Sequence, residues 1–240
     1  MEIKLDVLAF AAHPDDVELS CSGTLLKLTK QGKKVGIVDL TRGELGTRGS
    51  ASLRLIEAQN SSKILGISVR ENLNLGDGFF ENNQENKIKI IEALRKYKPT
   101  MVLANALTDR HIDHGRGARL VADACFLSGL RKIETKTDGV PQEAWRPNLV
   151  LHYIQDYYMK PNIVVDVTEV WSQKIESINA FSSQFYSADS KEPVTPISGE
   201  DFFEFLEGRA KEMGRPVGAK YGEGFVCERP LQIEDLTLLG

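Results

Sequence analysis

Thiols are scarce in this chain: Cys21, Cys125 and Cys227 are odd in number, far apart and without a Cys-x-x-Cys pair. That excludes a disulfide framework and a thiolate zinc cluster, and makes buried reduced thiols the expectation. No apolar run approaches the roughly 20 residues that a membrane span requires, so no membrane segment is expected. The opening residues, Met-Glu-Ile-Lys-Leu-Asp, lack a signal-peptide pattern, which makes the cytoplasm the expected location. Excess positive charge is missing too. Lysine and arginine total 30 against 34 acidic residues, a net charge of −4, so there is no basic field to recruit nucleic acid or an anionic membrane. The expected partner is a small molecule. Internal repeats, low-complexity tracts and linkers are also wanting, and 240 residues suit one domain spanning 1–240 with a substantial core.

What the chain does have is alternation. Residues 3–11 read as a strand, 17–31 as a helix ended by Gly32, and 35–40 as a second strand followed by a glycine-rich loop at 41–49. Residues 52–65 have helical periodicity up to Gly66, 72–75 read as a short strand before Gly76-Asp77-Gly78, and 87–97 as a helix. After Pro99, residues 100–104 are apolar enough for a buried strand, with a helix at 117–127 beyond. Residues 138–147 read as loop, and 148–154 with 162–167 as a strand pair of unassigned direction, so the sheet is expected to be mixed there. Thr168 suits the cap of a helix running to Phe181. Residues 182–196 read as loop, and Ser198 with Asp201 resembles a capping box for a helix reaching Met213. This order predicts an α/β fold: a Rossmann-like, mostly parallel sheet with helices on both faces.

Only four histidines occur, and three of them sit in two short segments, Ala12-His13-Pro14-Asp15-Asp16 and Arg110-His111-Ile112-Asp113-His114. Each segment follows a predicted strand, at the sheet edge where ligands bind in open α/β folds. A hydrolytic zinc site uses three imidazole or carboxylate ligands and leaves a position for a water of lowered pKa. His13 and Asp16, three apart across a strand-to-helix turn, and His114 from the later loop meet that need. Asp15 then stays free to act as general base and later as general acid toward a leaving amine. His111 can donate a hydrogen bond to a developing oxyanion, oriented and charged by Asp113 two residues on. The reaction implied is metal-assisted amide hydrolysis. Ferrous iron accepts the same two-histidine, one-carboxylate set, so zinc is a leaning and not a deduction.

Blander readings compete. Asp15 or Asp16 can simply cap the following helix, with Pro14 setting the turn, and His114 beside Gly115 can be a surface or capping residue. Coincidence decides against them: nearly all the histidine in the chain stands beside aspartates at two places on one sheet edge.

The two segments resemble the hallmarks of the de-N-acetylase superfamily that includes the N-acetylglucosaminyl-phosphatidylinositol deacetylases, an Ala-His-Pro-Asp-Asp stretch and a later His-x-Asp-His stretch. Similarity extends through Leu40-Thr41-Arg42-Gly43-Glu44, Arg54-Leu55-Ile56-Glu57-Ala58, Leu75-Gly76-Asp77-Gly78 and Lys220-Tyr221-Gly222-Glu223-Gly224-Phe225. Within the superfamily this set is most similar to the N-acetyl-α-D-glucosaminyl L-malate deacetylases of bacillithiol biosynthesis. The resemblance implies a zinc-type cation on His13, Asp16 and His114, Asp15 as base, His111 with Asp113 stabilising the tetrahedral intermediate, an amino-sugar substrate and a homo-oligomer, often a hexamer. Ile112 departs from the proline common in such enzymes, and Ser20 and Ser22 from glycine; none of these replaces an implied ligand.

Arg42, Arg48 and Arg54 lie in and after the second-strand loop, and a guanidinium matches a carboxylate such as that of malate in two-pronged fashion. The resemblance singles out Arg54 as substrate-binding, with Arg42 a second candidate; otherwise exposed arginines here are solvated or pair with Glu44 and Glu57. His152 reads as a core or supporting histidine, and Tyr157 and Tyr158 as packing residues or, less readily, as pocket lining. Nearby alternatives are a deacetylase of other N-acetylglucosamine compounds, such as chitin-type oligosaccharides, and a thiol S-conjugate amidase. A non-catalytic sugar-binding protein is a further one. Nucleotide binding is disfavoured because no Gly-x-Gly-x-x-Gly turn follows the first strand.

Overall fold

The computed structural model describes residues 3–186, 188–235 and 237. The first strand, β1 (Val7–Ala11), is buried on both faces, which is why it reads as an unbroken apolar run. Its period of two serves two cores: Val7, Ala9 and Ala11 meet Cys21, Leu25 and Leu26, while Leu8 and Phe10 meet Ile90, Leu94, Leu120 and Val121.

Along the chain follow α1 (Asp16–Lys30), β2 (Val35–Asp39), α2 (Ala51–Leu65), β3 (Val69–Asn72), α3 (Gln84–Tyr97), β4 (Met101–Ala104) and α4 (Ile112–Leu127). A small hairpin, β5 (Lys136–Thr137) and β6 (Val140–Pro141), precedes β7 (Leu149–Tyr153), β8 (Ile163–Asp166), α5 (Trp171–Asn179), α6 (Phe202–Gly214) and β9 (Gly222–Val226). The main sheet has seven strands in the order β3-β2-β1-β4-β7-β9-β8. The first five run parallel, and β9 runs antiparallel to both of its neighbours. Helices α3 and α4 cover one face and α1, α2, α5 and α6 the other, as expected for the fold class. Among the described residues no helix is long and apolar enough to cross a membrane.

Gly66 ends α2 in the left-handed conformation, as read, and Ser50 caps its start by accepting the Leu53 N–H. Other boundaries differ. Helix α4 begins at Ile112 and not near Gly117, so the second histidine segment forms its cap and first turn. Helix α3 begins at Gln84, β3 lies at 69–72 in place of 72–75, and α5 stops at Asn179. The capping box at Ser198 does not form: Ser198 Oγ accepts the Thr195 N–H, and Asp201 makes no cap bond. The strands expected to pair, β7 and β8, are not neighbours, because β9 from the far end of the chain lies between them.

Strand order fixes the site. From β1 the chain moves out to β2 and β3, then returns to β4 on the other side of β1, pairing Val7 with Met101 and Ala9 with Leu103. The carboxyl ends of β1 and β4 therefore open on a topological switch point, and each histidine segment follows one of those two strands.

Candidate active site

After β1 the chain turns through Ala12, whose carbonyl accepts the backbone N–H and the hydroxyl of Thr41 at 3.1 and 2.8 Å. Asp15 stands before α1 at φ 125°, a conformation that L residues rarely adopt, and it makes no helix-cap bond. Asp16 does not cap either. One of its oxygens accepts the His13 N–H at 2.9 Å and the Asn105 side-chain amide at 3.0 Å; the other accepts from Gln155 at 2.7 Å. The same carboxylate lies 3.2 Å from His114 Nε2 and 3.7 Å from His13 Nδ1. The fold thus sets His13 and His114 against opposite oxygens of Asp16, and the capping reading of both aspartate side chains fails.

His111 closes the group. The ring centroids of His13 and His111 are 4.5 Å apart, and those of His111 and His114 5.3 Å. Donor atoms of the three histidines lie within 4.8 Å of one another, and so do those of His13, Asp77 and Asp113. His111 Nδ1 accepts the Asp113 N–H at 3.3 Å, which places the proton of a neutral ring on Nε2. It is thus the backbone of Asp113 that orients His111. The Asp113 carboxylate instead accepts from Gly78 N–H at 2.8 Å and Arg116 at 2.7 Å, and lies 3.3 Å from His13 Nε2. Its charge still favours protonation of His111, though burial and the neighbouring histidines outweigh it and hold that ring below its ordinary pKa.

An outer ring of carboxylates, not singled out from the sequence, fixes the imidazoles. Asp77 lies 3.0 Å from His13 Nε2, and Asp109 lies 2.6 Å from His114 Nδ1. Burial disfavours a charged His13, but Asp113, Asp16 and Asp77 together lift it well above the usual histidine range. His114 is likewise lifted to about 9 by Asp16 and Asp109 against burial. Burial would raise Asp16; the His114 and His13 rings instead hold it well below the usual carboxylate range. A cluster that collects protons in this way has an excess of carboxylate charge, which a divalent cation neutralises equally well by displacing those protons. The donor set therefore fits such a cation.

Asp15 is the exception. Burial, with Asp16 and Glu18 nearby, raises it to about 7, although Arg54 and His13 favour its charge. It lines a cavity of about 630 Å³ together with His13, Asp16, Arg54, His111 and His114. That volume is ordinary for a small-molecule site. Arg54 is buried, with Nη1 3.9 Å from Asp15 and Nη2 donating to Gln184. Glu57, the alternative partner, is taken by Ser182 and Ser183. Arg42 is exposed, its backbone bonded to Glu44, and it does not line the cavity. Arg110, Gln155 and Phe79 do. His152 is buried against the Asn105 carbonyl, whereas Tyr157 and Tyr158 are exposed and do not line the cavity.

A buried carboxylate poised near neutrality beside a two-histidine, one-carboxylate cluster, at the switch point of a Rossmann-like sheet, defines a hydrolase-type site. Residues 8–125 match the family model described as PIG-L: GlcNAc-PI de-N-acetylase. A solved structure of a conserved protein from Thermus thermophilus superposes with a TM-score of 0.85 at 32% identity, covering 97% of this chain and 98% of that one. Diacetylchitobiose deacetylase of Thermococcus kodakarensis is 29% identical over 91% of this chain and 81% of its own length. The 4-oxalmesaconate hydratase of Pseudomonas putida is 26% identical over 74% of this chain and 73% of its own length. The chain belongs to the GlcNAc-PI de-N-acetylase family.

Proposed function

We propose that this protein is a zinc-dependent N-deacetylase that removes acetate from an N-acetylglucosamine compound in the cytoplasm, with N-acetyl-α-D-glucosaminyl L-malate of bacillithiol biosynthesis as the substrate. The observation that carries the reaction is Asp15: a buried carboxylate in the cavity, raised to about 7, next to a cation-binding donor set. Family membership and the diacetylchitobiose deacetylase relative support amide hydrolysis on an N-acetylated sugar. The malate conjugate rests on the sequence resemblance and on Arg54 in the cavity.

His13, Asp16 and His114 would hold the cation. Asp16 is preferred over His111 as third ligand because two amides fix its oxygens and it carries charge, whereas Nδ1 of His111 is already taken by the Asp113 N–H. When bound, the cation polarises the acetamide carbonyl and acidifies water. Asp15 takes a proton from the attacking water and passes it to the departing sugar amine, so that amide and water become acetate and amine. His111 donates its Nε2–H to the carbonyl oxygen as negative charge gathers there. Arg54 sets the charge of Asp15 and meets an anionic group on the substrate.

The hydratase relative favours a second reading, water addition to an unsaturated acid, because that reaction too needs an activated water. Metal-stripped protein, with and without added zinc, is assayed for acetate release from the malate conjugate, from diacetylchitobiose and from N-acetylglucosamine. Zinc-dependent release with strong preference for the conjugate establishes the reading. Preference for diacetylchitobiose replaces the substrate, and release from none of them, with zinc bound, turns the reading to the hydratase.

A further inference from the structure

Helix α1 is held from behind by a buried ion pair that the chemistry above does not use. Lys174 on α5 is 1% exposed, and its ammonium donates to Glu223 Oε1 at 2.7 Å, to the Glu18 carbonyl at 3.1 Å and to the Leu19 carbonyl at 3.2 Å. Those bonds use all of its protons. Glu223 on β9 is buried too. Its Oε1 also accepts the Gly23 N–H at 2.9 Å, and its Oε2 accepts the N–H and hydroxyl of Thr24 at 2.6 Å each.

Gly23 and Thr24 lie inside α1, where amides ordinarily face only the carbonyls of Leu19 and Ser20. Here the Leu19 carbonyl also serves Lys174 and, at 3.1 Å, Arg209 of α6. Cations on carbonyls followed by an anion on amides is the charge order of one helix ending and the next beginning. The pair thus grips the continuous helix α1 just where its first two turns, residues 16–22, meet the rest. The pocket for the carboxylate is close-fitting: a Cβ on Gly23 would stand 2.9 Å from Glu223 Oε1 and 2.8 Å from the Val167 side chain. Glu18, in the same first turns, is clamped on its other side by Ser61 and Arg70, each at 2.6 Å.

Those turns carry the site. The Leu19 N–H donates to the Asp15 carbonyl at 2.9 Å, and a non-glycine residue keeps the φ of 125° found at Asp15 only where its surroundings over-determine it. We propose that Lys174 and Glu223 are positioning residues: the pair, wedged into α1 between β9 and α5, fixes the first two turns of the helix and through them the carboxylates of Asp15 and Asp16. This inference rests on the reading of the site given above.

The test combines Lys174→Met with Glu223→Leu, which removes both charges at similar volume; such replacement of a buried pair often preserves stability. Amide hydrogen exchange of the metal-free protein reads the clamp without any substrate, and zinc titration reads the site. The double variant is expected to melt within several degrees of the wild type, to exchange faster in residues 16–24 than elsewhere, and to bind zinc about 10- to 100-fold more weakly, the scale for losing groups that orient ligands. Its kcat falls while KM changes little. Glu223→Gln, which keeps the shape and one acceptor, falls between. Wild-type exchange and zinc affinity in the double variant would make the pair a mere tether and overturn the proposal. If the double variant does not fold, Glu223→Gln is held to the same readouts. A wild type that binds zinc but releases no acetate removes the deacetylase reading and leaves both non-catalytic readouts standing.

Discussion

Arg54 Nη1 stands 3.9 Å from Oδ2 of Asp15, near enough to favour the carboxylate's charge and too far to hydrogen-bond it. The adjacent Asp16 is engaged by His13 N–H, Asn105 and Gln155. Two neighbouring aspartates are thereby driven apart, one held ionised among the histidines and the other raised toward neutrality, which suits the separate roles of ligand and base proposed for them.

Asp15→Asn should keep zinc binding and cut turnover about 100-fold or more, the range of general acid–base catalysis. Near-normal turnover would remove Asp15 from the mechanism. The same variant tests linkage. Because the folded-state pKa is raised from 3.8 to about 7, the folded protein binds more protons than the unfolded chain between those values, so this group's contribution to stability falls as pH rises through that window. Metal-free Asp15→Asn should therefore melt several degrees above metal-free wild type at pH 8, with the gap closing toward pH 4, as thermal melts across pH would show.

Removing Arg54 raises the pKa of Asp15 further, since Arg54 is the largest influence lowering it. The acid limb of the kcat/KM profile of Arg54→Met should shift to higher pH while KM rises. An unmoved limb would confine Arg54 to substrate binding.

His114→Ala should lose the cation, measured as zinc per protein after dialysis; one full equivalent retained would strike it from the ligand set. Asp109→Asn, which weakens the hold on His114 Nδ1, should lower zinc affinity about 10- to 100-fold without abolishing binding.

His111→Ala removes the Nε2–H donor and should cost about 100- to 1,000-fold in kcat, the scale of a lost oxyanion donor. Unchanged zinc content alongside that loss separates this role from ligation; a variant that instead loses its zinc would make His111 the third ligand in place of Asp16.

Alternating apolar strands and helical stretches made the α/β class legible, because burial of β1 and β4 on both faces demands continuous apolar runs. The His13 to Asp16 and His111 to His114 segments were legible because scarce residue types gathered at two strand ends. Asp77 and Asp109 were missed: an aspartate in a turn looks like a turn residue until the histidine it faces is known. Arg42 and Arg54 could not be separated as candidates by the chemistry of arginine alone, since only the path of α2 buries one beside Asp15 and leaves the other exposed.

The sequence by itself determined most of the strands and helices and the donor types, since periodicity and residue chemistry are local, but β9 and the β5–β6 hairpin were not read from it. Tertiary structure alone decided that β1 lies beside β4 and so merges two half-sites. It also decided that β9 separates β7 from β8 and carries Glu223 to the middle of α1. Those are pairings across 56 to 200 residues, set by backbone hydrogen bonding between strands and by burial of charges that only a folded chain can match.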